Sequence, residues 1–129
     1  MAFDGQQVNP PGMVAGVDLF AAQYQIVKLS AAKTVILCSA VTDVPFGVLQ
    51  NTPRAGQAAS ICTHGTSKLV VGATVAFANI VGSDVNGRAV AYAPGTDMTK
   101  YAVGTVIEPG AAALGVATVQ VDISNGRLA

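Results

Sequence analysis

Val116-Ala-Thr-Val-Gln-Val-Asp-Ile123 is the stretch on which the reading of this chain turns. Ala117, Val119, Val121 and Ile123 alternate with Thr118, Gln120 and Asp122. Successive side chains of a strand point to opposite faces, so this period of two predicts a strand with one apolar and one wet face. The same texture recurs upstream in shorter pieces. Strands are expected over Tyr24 to Leu29, Thr34 to Cys38, Phe46 to Gln50, Gln57 to His64, Lys68 to Val71, Arg88 to Tyr92 and Ala102 to Ile107. Gly and Pro punctuate the intervals. Asn86-Gly87, between Val85 and Ala89, predicts a hairpin turn, because both residues tolerate positive φ. Helical periodicity is limited to short pieces at Asp18 to Gln23 and near Ala111 to Leu114. Many short strands at this spacing predict an all-β domain, a small barrel or sandwich.

The sequence also echoes itself. Gly47 and Gly104 each precede a short apolar strand, and a Pro/Gly loop leads on to the next strand. Such units are expected to pair as two hairpin-like modules of one barrel, too few for a solenoid. Residues 1–20 read differently. Met1 to Met13 has no hydrophobic period, and Asn9-Pro10-Pro11-Gly12 holds the backbone extended. We expect an extended N-terminal arm over 1–20, with Phe3, Val8 and Met13 as apolar anchors, and a β-rich domain over 21–129.

Composition narrows the function. The chain has 129 residues, 51% of them hydrophobic but only 5% aromatic and none tryptophan, so the core rests on Ala and Val. One domain of this length buries enough surface to fold alone. Seven Lys+Arg balance seven Asp+Glu, and charged residues make up only 11%. Phosphate neutralisation needs clustered cations, so no nucleic-acid partner is expected. The first cation is Lys28 and no apolar run reaches membrane-spanning length, so neither a charged leader nor a membrane segment is expected. A surface this short of charge invites burial against another protein.

No catalytic constellation stands out. His64 is the single histidine, with hydroxyls at Ser60, Thr63 and Ser67 nearby and Asp43 or Asp84 as conceivable orienting groups. No Gly-x-Ser-x-Gly elbow surrounds any serine, so His64 is expected at a strand end, hydrogen-bonded or in water. Cys62-x-His64 with Cys38 lacks the fourth ligand of a structural zinc site, and the two cysteines are expected to be free, buried thiols. Asp84-x-Asn86-Gly87 lacks the further carboxylates of a calcium loop. Gly110-Ala-Ala-Ala-Leu-Gly115 lacks the Lys-Ser/Thr of a phosphate loop. Glu108 and the scattered aspartates form no adjacent pair for acid–base chemistry. Phe46, Phe77, Tyr92 and Tyr101 are expected to fill the core. No enzyme, metal, cofactor or small-molecule substrate is expected.

The run Asp43-Val-Pro-Phe-Gly-Val-Leu-Gln-Asn51, then Pro53-Arg-Ala-Gly-Gln-Ala58, then His64-Gly-Thr-Ser-Lys-Leu-Val-Val-Gly-Ala-Thr-Val75 resembles the capsid-decoration (head cement) proteins of tailed bacteriophages. Asp84-Val-Asn-Gly-Arg-Ala-Val-Ala91 and Tyr101-Ala-Val-Gly-Thr-Val-Ile-Glu108 continue the likeness, which spans about residues 14 to 123 and leaves the arm outside. The resemblance implies a non-enzymatic virion protein made in the host cytoplasm. It implies a homotrimer on the outer surface of the expanded head, clamping subunits of the major capsid protein. It also implies a single β-tulip or SH3-like barrel or sandwich with the extended arm. Phe3, Val8, Pro10, Pro11, Met13 and Val14 are the expected capsid-binding residues. The alternative is another virion subunit: a tail-tube, head-fibre base or minor head protein.

Overall fold

The computed structural model describes residues 7–93, 100–109 and 115–123. Among these the chain forms β1 (Gln7–Val8), β2 (Val14–Ala15), β3 (Ile26–Ala31), β4 (Thr34–Leu37), β5 (Gly47–Leu49) and β6 (Ile61–Cys62). These are followed by β7 (His64–Val70), β8 (Ile80–Ser83), β9 (Ala89–Ala91), β10 (Gly104–Glu108) and β11 (Val116–Asp122). No helix occurs among the described residues, so none is long and apolar enough to cross a membrane. The domain is all-β, as the alternating patterns require.

Two sheets share the strands. One has the order β1-β7-β11-β10-β8-β9 and is antiparallel throughout, with Val116 opposite Val70 and Asp122 opposite His64. It curls into a half-barrel until Ala89 of β9 meets Val71 through a single bridge, backed by the Gly72 amide donating to the Ala89 carbonyl at 2.8 Å. The other sheet has the order β2-β4-β3-β5-β6, in which only β2 and β4 are parallel. It also curls back on itself. Val14 bridges Ala58, just before β6, and the Ala59 amide donates to the Met13 carbonyl at 2.9 Å. Thr63 carries the chain from one sheet to the other between β6 and β7.

Alternation along β3, β5 and β6 divides the core. Ile26, Val48 and Cys62 face the first sheet and join Leu69, Val81, Val106, Val119 and Val121 in one buried cluster. Their neighbours Val27, Leu49 and Ile61 turn the other way, into a second cluster with Met13, Ala15, Leu19, Ala22 and Val35. The second sheet is thus buried on both faces, which explains why its strands read as continuous apolar runs.

Several expectations need correction. Thr118, expected on a wet face, is fully buried, while Gln120 and Asp122 are exposed as expected. Asp18 to Gln23 is not helical: it folds as turns that draw Leu19 and Ala22 into the second cluster, and Tyr24 follows at φ 63°. The other helical expectation, Ala111 to Leu114, lies outside the described residues. Phe77 is 74% exposed on a turn rather than buried, although Tyr92 is buried and Phe46 packs on the second cluster. The echoing glycines do open strands, β5 and β10, but those strands lie in different sheets and build no shared module. Both glycines serve one purpose. A Cβ at Gly47 would stand 2.5 Å from the Cys62 carbonyl oxygen, and one at Gly104 would stand 2.1 Å from that of Gln120.

Candidate functional site

The extended N-terminal stretch lies along both sheets. β1 adds to the edge of β7, with Gln7 opposite Gly65 and Val8 opposite His64. Gln7 Nε2 donates to the Thr66 carbonyl at 3.0 Å and to Gln50 Oε1 at 3.2 Å. The Thr63 amide and hydroxyl both donate to the Val8 carbonyl, at 3.0 and 3.2 Å. Asn9 Nδ2 reaches Ser60 Oγ at 3.4 Å. Backbone pairing therefore fixes the stretch while leaving side chains outward: Val8 is 57% exposed, Pro11 is exposed and Pro10 half-buried. Met13 is 6% exposed within the second cluster, and Val14 is half-buried on β2, opposite Thr34. Phe3 lies outside the described residues.

Gln7, Val8, His64 and Gly65 line a cleft of about 400 Å³. His64 stands at the start of β7 in water, its Nδ1 at 3.2 Å from Thr63 Oγ1 and its Nε2 at 3.5 Å from Asp122 Oδ1. The carboxylate beside it is Asp122, not Asp43 or Asp84. Thr63 Oγ1 already donates to Val8, so its proton is not directed at the imidazole. Sequence reasoning missed Asp122 because the pair forms only through the β7–β11 register.

The other sequence candidates stay apart. Cys38 and Cys62 are free and buried. Burial above all pushes the Cys38 thiol up to about 12, against a weaker lowering by a hydrogen bond from Ser83; a thiol so held is a poor nucleophile and a poor metal ligand. Among the described residues no three His, Cys, Asp or Glu side chains converge to hold a metal. Asp84 closes the β8–β9 hairpin instead, its Oδ1 accepting from the amides of Asn86 at 2.8 Å and Arg88 at 2.9 Å, with Gly87 at φ 76°. The Gly110–Gly115 stretch falls largely outside the described residues. Glu108 ends β10, separate from the acid at Asp122.

Exposed apolar side chains are the more prominent surface feature. Leu29, Val44, Pro45 and Phe46 line an apolar cleft of about 340 Å³ where β3 runs on past its pairing with β5. The loop walling it is clasped by Lys28 Nζ on Asp43 Oδ2 at 2.8 Å. Burial alone would raise the Asp43 carboxyl, but Lys28 and the Ser39 and Ala40 amides outweigh it and hold it below 3.8. Elsewhere the Arg54 guanidinium stacks 4.5 Å over the Phe20 ring and pairs with Asp18 at 3.0 Å. Phe77 is held out by a fixed turn, with the Ala78 amide donating to the Val106 carbonyl and Asn79 Oδ1 capping the Ala76 amide, each at 2.8 Å. Such surfaces suit contact with protein more than turnover of a substrate.

No protein-family model matches the chain, and no curated protein matches it in sequence. Its fold recurs in solved structures. The N base of the head fibre gp8.5 of bacteriophage phi29 has a TM-score of 0.63 at 14% identity, over 91% of this chain and 94% of that one. A chain in the capsid of Myoviridae phage XM1 has a TM-score of 0.63 at 16% identity, over 92% of this chain and 84% of that one.

Proposed function

We propose that this protein is a non-enzymatic structural subunit of a tailed-phage head. It would decorate the outer surface of the expanded capsid and clamp adjacent subunits of the major capsid protein. The observation that carries the reading is the recurrence of the fold, over more than nine-tenths of this chain, in components of two phage particles. The surface supports it. Exposed Val8, Phe20, Leu29 and Phe77 offer apolar anchors, and the N-terminal stretch offers Val8, Pro10 and Pro11 on a backbone already fixed. We assign the capsid contact in that stretch to these three residues with Phe3, while Met13 and Val14 anchor it. Binding only the expanded lattice stabilises that state by mass action, and a trimer would add avidity.

The match to a head-fibre base favours a second reading, a collar that attaches a projecting fibre without strengthening the shell. Mixing the purified chain with expanded capsids and compact proheads lacking it separates these. Decoration predicts co-sedimentation with expanded capsids alone and a higher temperature of capsid disruption. A fibre base predicts binding with no gain in capsid stability. Equal binding to both lattices, or to neither, overturns the proposal.

A further inference from the structure

The β8–β9 hairpin brings Arg88 into a cleft of about 370 Å³ that no role above employs. Val17, Leu19 and Leu37 supply apolar walls, and Gln25 and Asn86 supply amides. Gly87 seats the hairpin: a Cβ there would stand 2.6 Å from Leu37 Cδ1. Arg88 Nε is buried and has no hydrogen-bond partner. Asp84, four residues earlier, does not serve it. Its Oδ1 is engaged by two backbone amides, and its Oδ2 lies 2.3 Å from where a Gly72 Cβ would be. Asp18 also lines the cleft, but its carboxylate is paired with Arg54 at 3.0 Å. A buried guanidinium donor without an acceptor is costly to leave unmade, and a carboxylate can engage its Nε and Nη in the bidentate manner this group favours.

We propose that this cleft receives an acidic side chain of a partner polypeptide, with Arg88 as its anchor. The cleft is larger than one carboxylate fills, and its walls beside Arg88 are apolar, so an apolar residue next to the acid completes the occupant. The site stands independently of the phage-head reading.

The arginine Nε–H resonances of the full chain test it by NMR, titrated separately with acetate, with the capped dipeptide N-acetyl-Glu-Leu-amide and with inorganic phosphate. Saturable movement of the Arg88 signal, with the dipeptide binding roughly tenfold or more tighter than acetate, supports the proposal. Arg54, already paired, should move little. Arg88→Gln should abolish the response without lowering Tm, and Arg88→Lys should weaken it while keeping the charge. An unmoved Arg88 signal, phosphate binding tighter than either carboxylate, or acetate matching the dipeptide overturns it. So does a response that survives in Arg88→Gln.

Discussion

At the scale of single residues, the fold depends on absent side chains as much as on present ones. Gly104 lies so near the Gln120 carbonyl oxygen that a methyl group there would sit 2.1 Å from it. Backbone cannot yield as a flexible side chain does, so Gly104→Ala should cost about 1–3 kcal/mol in urea unfolding. Gly56→Ala meets no neighbour but carries strain from φ 81°, and should cost about 1 kcal/mol. Asp43 gives a test with a sign. Its folded-state carboxyl titrates below 3.8, so its contribution is present above that value and is lost as pH falls through the folded-state value. Asp43→Asn should therefore lower stability by roughly 1–2 kcal/mol at neutral pH. The gap between the two urea midpoints should close as the solution is taken below 3.8.

Strands and turns show why part of the fold was legible and part was not. The alternation of Val116 to Ile123 and the Asn86-Gly87 turn announced β11 and the β8–β9 hairpin, because local pattern and tertiary role agree there. β8 escaped notice. Its centre is Gly82, which a strand reading disfavours, yet a Cβ there would stand 2.1 Å from the Tyr92 ring; only the long-range partner justifies it. The turns of Asp18 to Gln23 mimicked a helix because Leu19 and Ala22, three apart, share a burial site without sharing a helix face. Of the candidate sites, the extended arm could be read from its prolines. Asp122 beside His64, and the cleft at Arg88, arise from strand register and hairpin docking, which no local spacing records. The N-terminal stretch also divides by energetics. Met13→Ala should cost about 2–5 kcal/mol, the range for emptying a buried Met site, whereas Val8→Ser should stay within about 0.5 kcal/mol. Thermal melts of the two variants check this contrast.

For the molecule as a whole, the second sheet links the two apolar clusters, since adjacent residues of β3, β5 and β6 serve opposite cores. Neither core can empty without uncovering the other, so unfolding should be a single cooperative step. Cys38 and Cys62, both buried in the first cluster, supply the reporters. Their modification by a thiol reagent under native conditions should proceed at one shared rate, and that rate should fall with every stabilising condition that slows global unfolding. Labelling of one cysteine well ahead of the other would mean that the cores open separately.

Both sheets close on themselves, through Val71 with Ala89 and through Val14 with Ala58. Closure leaves few unsatisfied peptide groups in a row, the template on which neighbouring chains would otherwise stack into fibres. A protein so short of charge has little electrostatic repulsion to keep its copies apart, so this sealing is what should let it stay dispersed when crowded. Opening either seam, for instance by a proline at Ala58, should turn a clear concentrated solution turbid.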